Sequence, residues 1–281
     1  MAYLALALTG PHLGELVGSG ELLGRWDALP IAFTVLGIDR VDGGAPNPVT
    51  LDSSAAGALL AARTTRGRFL IAATPQRDHP YNLARRVASL GHLSRGRSGL
   101  LMGIRDGYAA PAEATAARAY DAARAVRALE QSWPYDSIVG DRETGILVRS
   151  NQIAHVDLNG AFPIAGPLNI PEPATGASVI AWYGPGAAVG SPPVDLVIGT
   201  GAVVVTTLGE RPPTDTTGVL LQPTLDHTVD ELLTGAERLL AEGFSAVAPG
   251  GSLRAALGLA APPRRADGRA AFPAPQPNPS L

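Results

Sequence analysis

The sequence contains no cysteine. That excludes disulfides, zinc–thiolate centres, iron–sulfur clusters and thiol catalysis. It contains no lysine either: every one of its 22 basic residues is arginine. Schiff-base chemistry, a Walker lysine and a lysine-bound pyridoxal cofactor are thereby excluded. Aromatics are scarce, at 5%. No apolar run approaches the ~18 residues of a membrane-spanning helix. The segment Met1 to Leu8 is apolar but lacks the basic flank and length of a leader, so the expected location is cytoplasmic. A net charge of −3 gives no electrostatic footprint for nucleic acid or an anionic membrane, and neither is expected as a partner. No G-x-S-x-G elbow is present for a serine hydrolase. His79 and His155 lack a second histidine at ligand spacing, so no metal site is expected.

What is present is ample core material. Hydrophobic residues make up 46% of 281 residues, enough for one large domain or two small ones. Glycine (33) and proline (25) are abundant, and much of the excess lies in turns and in the tail. Eight short apolar runs read as strands: Tyr3–Leu8, Ile31–Leu36, Phe69–Ala73, Gly99–Ile104, Val179–Tyr183, Val194–Ile198, Ala202–Thr206 and Val219–Leu221. Helical patterns alternate with them. Asp52 can cap a helix over Ala55–Arg63. Pro80 opens a helix to His92, with Leu83, Val87 and Leu90 on one face. Ala112–Gln131 and Val229–Glu242 are further helices. This alternation predicts a parallel α/β fold, a TIM-like (β/α)8 barrel. The rhythm breaks between Ser132 and Pro173, where Ile146–Val148 and His155–Leu158 are expected to form a hairpin insertion. Helices are short or absent between Tyr183 and Gly218, so the barrel is expected to be reduced or incomplete. One domain is expected over residues 1–260, with a disordered Pro- and Ala-rich tail over 261–281.

The segment Tyr81-Asn82-Leu83-Ala84-Arg85-Arg86-Val87-Ala88-Ser89-Leu90-Gly91-His92-Leu93-Ser94-Arg95-Gly96-Arg97 resembles a signature of bacterial-luciferase-like flavin monooxygenases. The resemblance is narrower still to the group containing nitrilotriacetate monooxygenase, dibenzothiophene-sulfone monooxygenase and pristinamycin IIA synthase. Further segments agree in order: Ala119–Arg124, Leu129–Asp141, Gly166–Pro171, and Ser252-Leu253-Arg254 with Leu257-Gly258-Leu259. The resemblance implies a barrel with a hairpin insertion. It also implies use of FMNH2 from a separate flavin reductase: reduced flavin reacts with O2, and the product oxidises a small organic substrate.

Carried over residue by residue, the resemblance points to Asp39, Thr74, Arg105, Tyr120, Gly184 and Gly186 as flavin-binding positions. Asp39 follows the second strand and Thr74 ends the third. Arg105 could add charge. Backbone N–H groups at Gly184 and Gly186 could hold the phosphate. Each has a plainer reading: Asp39 as a loop carboxylate, Tyr120 as a packing aromatic, and Arg97 as an architectural partner of backbone or carboxylate. The glycine-rich run from Gly184 resembles a phosphate loop, but Ser191-Pro192-Pro193 forbids the helix that should follow. The family's polar residues after the fourth strand are replaced by Leu100, Leu101, Met102, Gly103 and Ile104. Two functions therefore stand open. One is a working FMNH2-dependent monooxygenase with weakly bound flavin. The other is a non-catalytic relative: a flavin-poor protein or a partner subunit, forming either a homodimer or a heterodimer with an intact paralogue.

Overall fold

The structure is a computed structural model. It describes residues 2–44, 51–109, 114–185, 193–200, 202–213, 215–264 and 268–277. Ten strands and seven α-helices are defined among these residues. They run in the order β1 (Tyr3–Leu8), α1 (Gly10–Gly18), α2 (Gly20–Ala28), β2 (Thr34–Leu36), α3 (Ser53–Arg63), β3 (Phe69–Ala73), α4 (Pro80–Ser94), β4 (Ser98–Met102) and α5 (Ala116–Glu130). Then come β5 (Asp157–Leu158), β6 (Ile164–Ala165), β7 (Val179–Tyr183), β8 (Leu196–Ile198), β9 (Val203–Thr207), β10 (Gly218–Gln222), α6 (Val229–Ala241) and α7 (Leu253–Ala256).

Eight of the strands close into a parallel barrel, in the ring order β1-β10-β9-β8-β7-β4-β3-β2. All eight apolar runs of the sequence supply its strands. Parallel strands covered on both faces must be apolar along their whole length, and β1, β3 and β4 are buried almost throughout. Inside the ring, side chains such as Ala7, Val35, Leu70, Leu101, Ala181 and Leu220 form one cluster. Outside it, a second and larger cluster joins the strands to the helices.

The strand ring is complete; the reduction lies in the helical layer. Among the described residues no helix separates β7 from β8, β8 from β9, or β9 from β10. Parallel neighbours ordinarily need a crossover of about a dozen residues. Residues 199–202 alone join β8 to β9. This is possible because β9 starts level with the end of β8: the two strands meet only at Ile198 and Val203.

α1 and α2 are not legible as helices in the sequence, where Gly10 and Pro11 read as a break. Packing overrides the glycines, since Leu13, Leu16, Leu23 and Trp26 are all buried. The predicted hairpin pairing is also corrected. Val148 bridges Ile138, whereas Asp157–Leu158 pairs antiparallel with Ile164–Ala165. Residues 269–273 of the tail hydrogen-bond to this insertion. Arg269 O accepts from His155 N–H at 2.8 Å, Ile153 O from Ala271 N–H at 2.7 Å, and Pro273 O from the Ser150 hydroxyl at 2.7 Å. Among the described residues no helix is long and apolar enough to cross a membrane.

The Tyr81–Arg97 signature forms most of α4 and the turn into β4. Asp52 caps α3 as expected, accepting from Ser54 N–H and Ala55 N–H. α4 ends with Arg95 and Gly96 in the left-handed region, at φ 55° and 77°. A β-carbon on Gly96 would sit 2.4 Å from Thr175 Oγ1, so the position needs glycine for space as well as for its φ. Arg97 is buried and donates to Gly67 O, Thr64 O and Ala61 O at 2.6, 2.8 and 3.3 Å. The N-terminal end of the barrel is closed by Leu253, inserted beneath β4, and by Arg68, which donates to Ala248 O and Gly250 O.

Candidate functional site

Ligand sites in such barrels lie at the C-terminal strand ends. Here that mouth is spanned by the chain itself. After β2, Gly37 turns at φ +77° into a single 3₁₀ turn, Ile38–Arg40, and the backbone continues across the opening. On one side Asp42 Oδ2 accepts from Gln222 Nε2, at the end of β10, at 2.8 Å. On the other, Val41 covers the end of β4, where a β-carbon on Gly103 would fall 2.3 Å from Val41 Cγ1. β10 and β4 lie on opposite sides of the ring, so Ile38–Gly44 bridges it. Ile38 and Val41 belong to the interior cluster.

Polar contacts hold the bridge down. Asp39 is 3% exposed; its Oδ1 accepts from Gly10 N–H at 3.0 Å and its Oδ2 from the Tyr108 hydroxyl at 2.5 Å. The Arg40 guanidinium lies 3.5 Å from Asp106 Oδ2, both buried, and 5.5 Å from the centre of the Tyr108 ring. Asp106 N–H donates to Gln76 Oε1 at 2.7 Å, and Asp106 Oδ1 accepts from Tyr108 N–H at 2.8 Å. Tyr183, at the end of β7, has its phenol pushed up by burial and then by the charge of Asp42. Arg40, Gln76, Asp106 and Tyr108 were not singled out in the sequence. The Asp106-Gly107-Tyr108 turn was the one available signal, an aspartate accepting from the N–H two residues on.

The six predicted flavin-site positions therefore separate. Asp39 and Thr74 come to the mouth. Asp39 is engaged as described. Thr74 is fully buried and its Oγ1 has no hydrogen-bond partner among the described residues. Arg105 is exposed. Tyr120 is half-buried on α5, against the cluster between helices and barrel. Gly184 adopts φ +85°, but its N–H donates to Ile198 O at 2.8 Å and is spent on the sheet rather than open to a phosphate. Gly186 lies outside the described residues. Among the described residues no group of three or more His, Asp or Glu side chains could hold a metal.

Two of the six positions, the Asp39 carboxylate and the Gly184 N–H, are thus engaged by the protein itself in this conformation. Ile38 and Val41 fill the barrel mouth. Asp39→Asn is accordingly expected to destabilise the fold by about 1–2 kcal/mol, through one weakened charge-assisted bond. It should leave any flavin affinity unchanged. Urea unfolding and a parallel FMN titration check both halves.

The sequence matches the family described as luciferase-like monooxygenase over residues 38–213. The chain belongs to this family. It is 35% identical over 144 residues to one of the subunits of pristinamycin IIA synthase from Streptomyces pristinaespiralis, a match covering 50% of this chain and 48% of that protein. The chain thus spans about half the length of this relative. Among solved structures, riboflavin lyase superposes with a TM-score of 0.65 at 16% identity, covering 93% of this chain and 96% of that one. EDTA monooxygenase from Chelativorans sp. BNC1 gives 0.64 at 16% identity, covering 92% and 98%. At such identities these structures establish the shared fold.

Proposed function

We propose that this luciferase-like chain is one component of a two-component, FMNH2-dependent monooxygenase. It pairs with a second luciferase-like chain that holds the reduced flavin, which a separate reductase supplies. Reduced FMN provides the two-electron reaction with O2 that the oxidation of a small organic substrate requires. The observation that carries the reading is the Ile38–Gly44 bridge across the barrel mouth, locked by Asp39–Tyr108, Arg40–Asp106 and Asp42–Gln222. The pristinamycin IIA synthase relative, itself one subunit of a larger synthase, supports it.

A second reading, that this chain is itself the flavin-dependent catalyst, is favoured by Thr74. A buried hydroxyl with no partner among the described residues, at a strand's C-terminal end, is a place where a ligand atom would be welcome. Titration of the isolated chain with FMN, followed by flavin fluorescence, separates the two. The expected result is no saturation below about 100 μM, an affinity weaker than about −5.5 kcal/mol. Saturation in the low micromolar range would transfer the chemistry to this chain.

A further inference from the structure

At the opposite end of the barrel from the mouth, a cleft of about 370 Å³ lies between the second half of α5, the insertion and the C-terminal tail. It flanks α5 on the side where no described helix separates β7 from β8. The tail forms its far wall. Gln131 Nε2 donates to Pro262 O and Pro263 O at 3.3 and 3.4 Å, and Arg264 pairs with Glu172. Ala128, Leu158, Pro193 and Pro263 make the cleft apolar along its length. Arg124, Arg127 and Arg264 also line the cleft, and the side chains of Arg124 and Arg264 are half-exposed. Apolar walls with a few convergent polar groups, at this volume, are the usual make-up of a small-molecule site.

Each arginine at the cleft has a carboxylate within 4 Å. Arg127 is 6% exposed; it donates to Ser178 O and to Asp195 Oδ2, yet its Nε has no partner among the described residues. Asp195 is shared, since Arg254 binds it too, at 3.0 Å. Arg124 has Asp121 at 3.3 Å. The other two carboxylates are Glu130, 3.8 Å from Arg127, and Glu172 beside Arg264. Burial draws both toward the protonated form. Four arginines thus face four carboxylates, and burial disfavours the charge on two of them.

We propose that this cleft binds a small apolar carboxylic acid. Its carboxylate would sit between the half-exposed Arg124 and Arg264, and its hydrocarbon part against Leu158, Pro193 and Pro263. The site is remote from the barrel mouth and independent of where the flavin resides. Isothermal titration of the whole chain with octanoate, with octan-1-ol as the uncharged control, tests it. One octanoate per chain is expected, with Kd below about 1 mM. Arg124→Ala and Arg264→Ala should each weaken it by about tenfold, and Arg264→Lys by less. Both arginines are half-exposed, so the variants should fold, as circular dichroism would verify. The proposal is overturned by octan-1-ol binding as tightly as octanoate, by octanoate affinity unchanged in both alanine variants, or by no octanoate binding at all.

Discussion

Arg127→Ala is expected to lower the unfolding free energy by about 3–5 kcal/mol, the usual cost of removing one partner from a buried ionic cluster. The guanidinium joins three separate pieces of chain. It donates to Ser178 O, at the edge of β7, at 2.7 Å and to Asp195 Oδ2, at the edge of β8, at 2.6 Å, from its own place on α5. Beneath it Glu130 is fully buried and accepts from the Ser178 N–H and hydroxyl. With no described helix between β7 and β8 to tie these strands to the helical layer, this cluster performs that task. The deficit should depend on pH. Burial already raises the Glu130 carboxyl above its ordinary range, and Arg127 is the strongest influence pulling it back. Without Arg127 the carboxyl rises further. A group raised in the folded state contributes stability that is present below its unfolded pKa and lost as pH rises through the folded value. The variant's deficit should therefore be smaller near pH 5 than near pH 8. Urea unfolding at the two pH values measures it, and an equal deficit at both would remove Glu130 from the account.

Arg97→Ala is expected to cost about 2–3 kcal/mol, since hydrogen bonds to a charged group carry about 1.5–3 kcal/mol. The side chain gathers the carbonyls at the end of α3 and in the turn before β3. Its charge is burdened by burial, and Asp27 offsets this in part. Asp27 in turn accepts from the N–H groups of Thr65, Arg66 and Gly67. Burial raises the Asp27 carboxyl, and these three donors together with the charge of Arg97 outweigh it and hold the carboxyl low. Arginine and aspartate thus grip the same turn from opposite sides, one by its carbonyls and one by its amides. Thermal melts with and without FMN test the assignment. An unchanged melt with altered flavin binding would make Arg97 a ligand-site residue.

The sequence by itself determined the eight strands and with them the fold class, while the closure of their ring, expected to be incomplete, was decided by the tertiary structure. Strands buried on both faces are written as continuous apolar runs, so each of the eight could be read without knowing its neighbours. The α3 cap at Asp52, the Pro80 start of α4 and the thinning of the helical layer after Tyr183 were local signals of the same kind. The tertiary structure decided what depends on distant partners. α1 and α2 form despite their glycines because Leu13, Leu16, Leu23 and Trp26 find a core. The two-residue strands of the insertion are too short to carry a period, so their pairing came out differently from the sequence pattern. Asp39 looks in the sequence like a loop carboxylate after a strand. Only folding brings Tyr108 and Gly10 to its two oxygens. The closure of the mouth has the same origin. It rests on contacts between Asp42 and Gln222 and between Val41 and Gly103, residues far apart along the chain that the closed ring places across one opening.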